Sequence, residues 1–206
     1  MNPIEADGTV VVRDLTNADR ANAVRVIARG MNDNPIHLAA YGGDVTNRTR
    51  AHGRIVGALF DASPHLSLLG AVRDGSLVAV AGAAPSGTCQ PTARARLRLL
   101  ATLGSLGPAV SARVIRWNTG WARHDPAEPH VHLGPVAVDE GLRGQGLGTM
   151  LLLEHVRRLD AIGLEGYLET DRPEAVPFYQ RFGYVVTDRA DILGVPCWFM
   201  RRPSSW

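Results

Sequence analysis

The stretch Arg143-Gly144-Gln145-Gly146-Leu147-Gly148 sets three glycines at alternate positions directly ahead of an apolar run, TMLLLEHVRRLDAI (149–162). Glycine is costly near a helix start unless the backbone must turn sharply or approach something closely. Upstream, HVHLGPVAVDE (130–140) has the composition of a strand. Downstream, Leu152, Val156 and Leu159 recur at spacings of four and three, which predicts the core face of a helix over 149–162. A strand, a glycine turn and a helix N-terminus together make an anion site, because uncapped N–H groups and the helix dipole face the ligand.

Working outward, TVVVR (9–13) reads as an opening strand, and Thr16-Asn-Ala-Asp19 as a capping box that starts a helix through Arg29. MNDNPIH (31–37) is rich in turn formers and is expected to be a loop. A helix is expected over 45–60, then strands over 66–72 and 77–84 joined by the turn Arg73-Asp-Gly-Ser76. PSGTCQPT (85–92) reads as loop, and 93–123 as two helices broken between Gly104 and Pro108. The proline-rich HDPAEPH (124–130) leads into the strand before the glycines. A strand over 163–171 and a short helix over 172–183 follow, the latter with Pro173 in its first turn and Asp171 as its cap. Two strands around Leu193-Gly194 end the chain. The order β-α-α-β-β-(αα)-β-α-β-α-β-β predicts an α+β (α/β mixed) fold with a mixed sheet.

A chain of 206 residues with 45% hydrophobic and 20% charged residues is expected to form one globular domain. Its formal charge of +2 gives no support to a nucleic-acid partner. The apolar segment 97–110 is interrupted by Arg98, Gly104, Gly107 and Pro108, too short and broken to span a bilayer. Cys89 and Cys197 match no metal or redox spacing, and MNPIEADG has no basic region followed by an apolar run; a reduced, cytoplasmic protein is the expectation. It is read as a monomeric unit, with a homodimer as the alternative. All 22 basic residues are arginine, so every basic site stays charged and suits bidentate contact with phosphates.

Two familiar phosphate loops are excluded or weak. A mononucleotide loop needs Gly-x4-Gly-Lys; Gly141 and Gly146 have the separation, but Leu147 stands at the lysine position. For a dinucleotide fingerprint Gly144 and Gly146 fit, but Thr149 holds the third position. A third pattern, Arg/Gln-x-x-Gly-x-Gly/Ala, is met in full by Arg143, Gly146 and Gly148. A second motif follows at fitting separation: Phe178-Tyr179-Gln-Arg-Phe-Gly183-Tyr184. With both in order, the chain resembles the GNAT superfamily of acetyl-CoA-dependent N-acetyltransferases. YLETDRPEAVPFYQRFGY (167–184) and GVPCWFMRRP (194–203) are similar to the tail of its puromycin N-acetyltransferase group. That likeness is specific over 132–202 and architectural over 1–130.

The resemblance implies a twisted mixed sheet flanked by helices, with parallel strands 131–138 and 165–171 splayed apart. It implies a single domain over 1–206, with an acceptor-side half (1–130) and an acetyl-CoA-binding half (131–206). Val136, Ala137 and Val138 would bond the pantetheine arm, the Val136 N–H polarising the thioester carbonyl. The pyrophosphate would sit over the N–H groups of Gly144, Gln145, Gly146, Leu147, Gly148 and Thr149, with Arg143 beside it. Phe178 would pack near the pantetheine. Arg172 stands where many members have asparagine, and its cofactor contact is in doubt. Tyr179 matches the tyrosine that acts as acid to the CoA sulfur, and Glu169 or His132 would serve as base.

His130 and His132 share a strand face, but no third metal ligand appears at suitable spacing, so no metal is expected. By analogy with the family, NDNPIH and the helices of 93–123 form the acceptor wall. Trp117, Trp121 and Tyr41 are read first as core, and Arg94, Arg96 and Arg98 as a solvated face. The implied activity is acetyl transfer to a primary amine of a small molecule by direct attack in a ternary complex. The alternatives are a protein or peptide N-acetyltransferase and a non-catalytic acetyl-CoA sensor.

Overall fold

A computed structural model describes residues 9–88 and 92–204, the side chains of 94, 95 and 98 excepted; Cys89 and the side chains of Arg94 and Arg98 therefore lie outside it. Seven strands form one mixed sheet: β1 (Val10–Asp14), β2 (Ser67–Arg73), β3 (Ser76–Ala84), β4 (His130–Val138), β5 (Glu165–Thr170), β6 (Val185–Ile192) and β7 (Val195–Arg202). Their order across the sheet is β1-β2-β3-β4-β5-β7-β6. Among the described residues only β4 and β5 run parallel, and the helix that crosses between them is the one behind the glycine loop. Both tight hairpins are set by two residues at positive φ, Asp74-Gly75 and Leu193-Gly194, the mirror-image turns that match strand twist.

The helices are α1 (Arg20–Gly30), α2 (Pro35–Tyr41), α3 (Val45–Ala62), α4 (Ala93–Gly104), α5 (Pro108–Ala122), α6 (Leu147–Ile162) and α7 (Ala175–Gln180). The Thr16–Asp19 capping box forms, but it closes a one-turn 3₁₀ segment ahead of α1. The expected loop over 31–37 ends early: Pro35 is the first residue of α2, where its missing N–H costs nothing. Asp171 supplies the cap of that helix and not of α7; its carboxylate accepts from the Ile36 N–H at 2.7 Å and from Asn34 Nδ2 at 3.3 Å. Helix α6 starts at Leu147, two residues before the expected boundary, because the Leu147 side chain is itself core, 1% exposed. The inner face of α6 is Leu147, Leu151, Leu152, His155 and Leu159; His155, not Val156, takes the fourth place and meets the Tyr184 hydroxyl at 3.0 Å. That face packs with Leu133, Leu168, Tyr184 and Met200 of the sheet.

On the other side α2 and α5 close over the β5–β7 region. Ile36, Ala40, Tyr41, Val114 and Trp117 pack there with Tyr167, Cys197 and Phe199. Burying these large apolar side chains contributes about 1.5–3 kcal/mol each. Among the described residues no helix is long and apolar enough to cross a membrane.

Candidate functional site

Strands β4 and β5 pair only at their beginnings, His130 with Glu165, Val131 with Gly166 and His132 with Tyr167. Beyond that point β4 stays with β3, through Val136, Ala137 and Val138 opposite Ala81, Val80 and Ala79. The ladder between β3 and β4 is irregular around Gly82, where an added Cβ would lie 2.7 Å from the Gly134 carbonyl oxygen. At this irregularity β4 parts from β5, and the 136–138 backbone is left edging a gap. Backbone groups on such an edge require a partner from outside the sheet.

The gap opens into a cleft of about 1740 Å³, lined by both halves of the chain. At one end stands the N-terminus of α6. Gly144 and Gly146 have φ of +79° and +80°, and a Cβ on either would meet nothing within 4 Å. No side chain caps the helix at Gly146, so its first N–H groups face open space. A pyrophosphate fits this cradle in charge and donor geometry. Gly148 lies inside the helix, where its bare Cα lets the Phe178 ring approach: an added Cβ would be 3.4 Å from Phe178 Cζ. Leu147 can act toward a ligand only through its N–H, since its side chain is in the core. Thr149 lines the cleft, whereas the Gln145 side chain turns to accept from Arg73 Nη1 at 2.7 Å.

The two arginines line the cleft and have acidic partners that the sequence reading did not include. Arg143 makes a forked pair with Asp33, at 2.6 and 2.8 Å, and also donates to the Gly30 carbonyl. Arg172 reaches the same Asp33 at 3.1 Å and pairs with Glu174 at 2.6 Å. Asp33 is thus clamped between two guanidinium groups, which pull its carboxyl down to about 2, the Arg143 hydrogen bonds first. Arg143 therefore ties the end of α1 to the glycine loop as well as bordering the cleft.

Tyr179, on α7, faces the cleft with its ring half-buried against Phe178 and Tyr184. Burial, and secondarily the nearby Asp171, raises its hydroxyl pKa above the ordinary value, so the phenol keeps its proton. Glu169 and His132, the two candidate bases, form one pair: His132 Nε2 and Glu169 Oε2 lie 2.7 Å apart across the point where the strands separate, the carboxylate side chain 5% exposed. Sequence reasoning missed Asp125, which the loop before β4 brings to His130 Nε2 at 3.2 Å and His132 Nδ1 at 3.9 Å. The third potential metal ligand thus exists, five and seven residues upstream of the histidines, in a proline-rich loop whose course the sequence does not disclose.

The far wall of the cleft comes from Asn34, His37, His52, Trp117 and Trp121. Trp117 is 7% exposed and packs on His37 at 5.1 Å and on Trp121 at 5.2 Å, so it is at once core and wall; Tyr41 is core behind it. Burial pushes His37 down to about 4 and His155, on α6, to the same value. It pushes His52 well below its ordinary range. These groups bind protons more readily unfolded than folded, so stability is complete above pH 6.5 and is lost as pH falls toward 4. His37 and His155 should each contribute roughly 3 kcal/mol to that loss, offset in part by Asp171, whose carboxyl burial raises. Urea unfolding midpoints at pH 7 and pH 4.5 should show a clear drop; equal midpoints would mean the rings are not held neutral.

The acetyltransferase (GNAT) family profile matches residues 40–184, more than two thirds of the sequence, and the chain belongs to that family, whose acyl donor is acetyl-CoA. A peptidyl-lysine N-acetyltransferase, YjaB of Salmonella typhimurium, is 39% identical over 67 residues, which span 32% of this chain and 45% of that protein. The match thus covers less than half of that relative's length. In fold, the chain is similar to a crystal structure described as histone acetyltransferase HPA2 and related acetyltransferase from Corynebacterium glutamicum (TM-score 0.73, 22% identity, 96% of this chain and 97% of that one). It is also similar to the PaiA N-acetyltransferase of Thermoplasma acidophilum in complex with coenzyme A (TM-score 0.56, 14% identity, 95% and 99%).

Proposed function

We propose that this chain is an N-acetyltransferase that moves the acetyl group of acetyl-CoA directly to a primary amine of a small molecule. The observation that carries the reading is the placement of Tyr179 and Glu169 on the same cleft, between the uncapped helix α6 and the aromatic wall. The donor is held by the N–H groups of Gly144 to Thr149, the backbone of Val136 to Val138 and the ring of Phe178. Bound there, acetyl-CoA supplies a thioester, an acyl group activated toward displacement by an amine.

Glu169, steadied by His132, takes a proton from the attacking nitrogen. The Val136 N–H polarises the acyl oxygen as charge grows on it. Tyr179 gives its proton to the departing sulfur. One C–N bond forms, one C–S bond breaks, and both proton transfers are accounted for. The low exposure of Trp117 and the buried His37 and His52 make the acceptor wall a recess suited to a compact molecule. The sequence resemblance of 167–184 and 194–203 to the puromycin N-acetyltransferase group supports the same acceptor class.

A peptide amine is the second reading, supported by the name of the Salmonella relative, whose match covers 32% of this chain. Release of free CoA thiol is the decisive assay, run across puromycin, aminoglycosides, polyamines, amino acids and lysine-containing peptides. Turnover with one small-amine class and none with peptides is expected. Peptide turnover alone would replace this reading, and acetyl-CoA binding with no turnover on any acceptor would favour the sensor.

A further inference from the structure

His132 of the Glu169–His132 pair also belongs to a second cluster, whose other members, Asp125 and His130, the acetyl-transfer reading does not use. Asp125, His130 and His132 turn one potential ligand atom each toward a common point, all within 4.8 Å of one another. The outer partners fix which ring nitrogens do so. His130 Nδ1 lies 2.8 Å from the Glu128 carbonyl oxygen, which can only accept, so Nδ1 carries the proton and Nε2 is turned to Asp125. His132 Nε2 is engaged by the Glu169 carboxylate, which turns Nδ1 to the same Asp125 oxygen.

We propose that this cluster binds a divalent transition-metal ion, Zn²⁺ by donor set, through Asp125, His130 and His132. Two imidazoles and one carboxylate are a zinc-type set, and three protein ligands leave a fourth position open. Separations of 3.2 and 3.9 Å suit ligands converging on one ion at about 2.0–2.2 Å after small side-chain adjustments. Each histidine already has the outer acceptor that orients a metal-bound imidazole: a carboxylate for His132, a backbone carbonyl for His130. His130 is buried, while Asp125 and His132 line the cleft, so the open position faces the space where an acceptor would enter. The site is defined by these residues alone and does not depend on the identity of the acetyl acceptor.

The test is metal binding by the full-length, untagged chain, read by calorimetry with Zn²⁺ and by the visible spectrum of Co²⁺. One ion per chain is expected, with the intense absorption of four-coordinate cobalt. Asp125→Ala and His132→Ala should each weaken binding at least about a hundredfold, and Glu169→Gln about ten- to a hundredfold through loss of the outer contact. Asp125→Asn, nearly isosteric, serves where the alanine variant fails to fold. His65→Ala, a histidine elsewhere on the cleft, should leave binding unchanged. Absence of one-to-one binding, or its survival in folded Asp125 and His132 variants, would overturn the proposal.

Discussion

Replacing Tyr179 by phenylalanine is expected to lower kcat about a hundredfold or more, the usual contribution of a positioned acid, with acetyl-CoA affinity unchanged. The ring fits its neighbours equally well without the hydroxyl, so packing against Phe178 and Tyr184 is kept and only the proton is lost. Because burial raises the phenol above its ordinary range, the wild-type rate should show no alkaline decline from this group through pH 9. Steady-state kinetics with an identified amine would decide it. An unchanged kcat in the variant would mean that the leaving sulfur takes its proton from water.

Gly146→Val should weaken acetyl-CoA binding about thirtyfold or more while leaving the fold intact. An added side chain meets nothing in the empty cradle, so the penalty comes from the backbone: Gly146 stands at φ +80°. A β-branched residue there is strained by about 2 kcal/mol, which the free chain sheds by relaxing and must take up again to bind, roughly thirtyfold in affinity. Relaxing that strain would rotate the first N–H groups of α6 away from the phosphates. Titration calorimetry with acetyl-CoA reads the effect. Equal affinity in a folded variant would remove the glycine loop from the donor site.

What was legible in the sequence was local. The glycine loop, the Asp74-Gly75 and Leu193-Gly194 turns and the break between α4 and α5 each follow from residues within a few positions of one another. The separation of β4 from β5 came from the family resemblance, and strand pairing that stops at His132 agrees with it. What was misplaced or missed has a different cause. Asp171 was assigned to the helix that follows it in sequence, whereas it caps α2, 135 residues earlier. Arg143 has its partner 110 residues away at Asp33, and no periodicity connects them. Asp125 was invisible as a companion of His130 and His132 because a proline-rich loop decides where its carboxylate ends up. Val156 was placed in the core by spacing alone, and the observed α6 face admits a histidine there because Tyr184 offers it a partner.

The cap on α2 has a consequence for assembly. A seven-residue helix is too short to persist alone in water, and the carboxylate that satisfies its first turn arrives with β5. The segment 35–41 must therefore wait, during synthesis, for most of the chain to leave the ribosome. Contacts of such long sequence separation close late, since the loop entropy is spent before they are rewarded. The side of the cleft that α2 builds is thus late to become ordered. In pulse-labelled amide exchange during refolding, protection of residues 35–41 should follow that of the C-terminal strands, so this side of the cleft matures only once β5 and the strands beside it are in place.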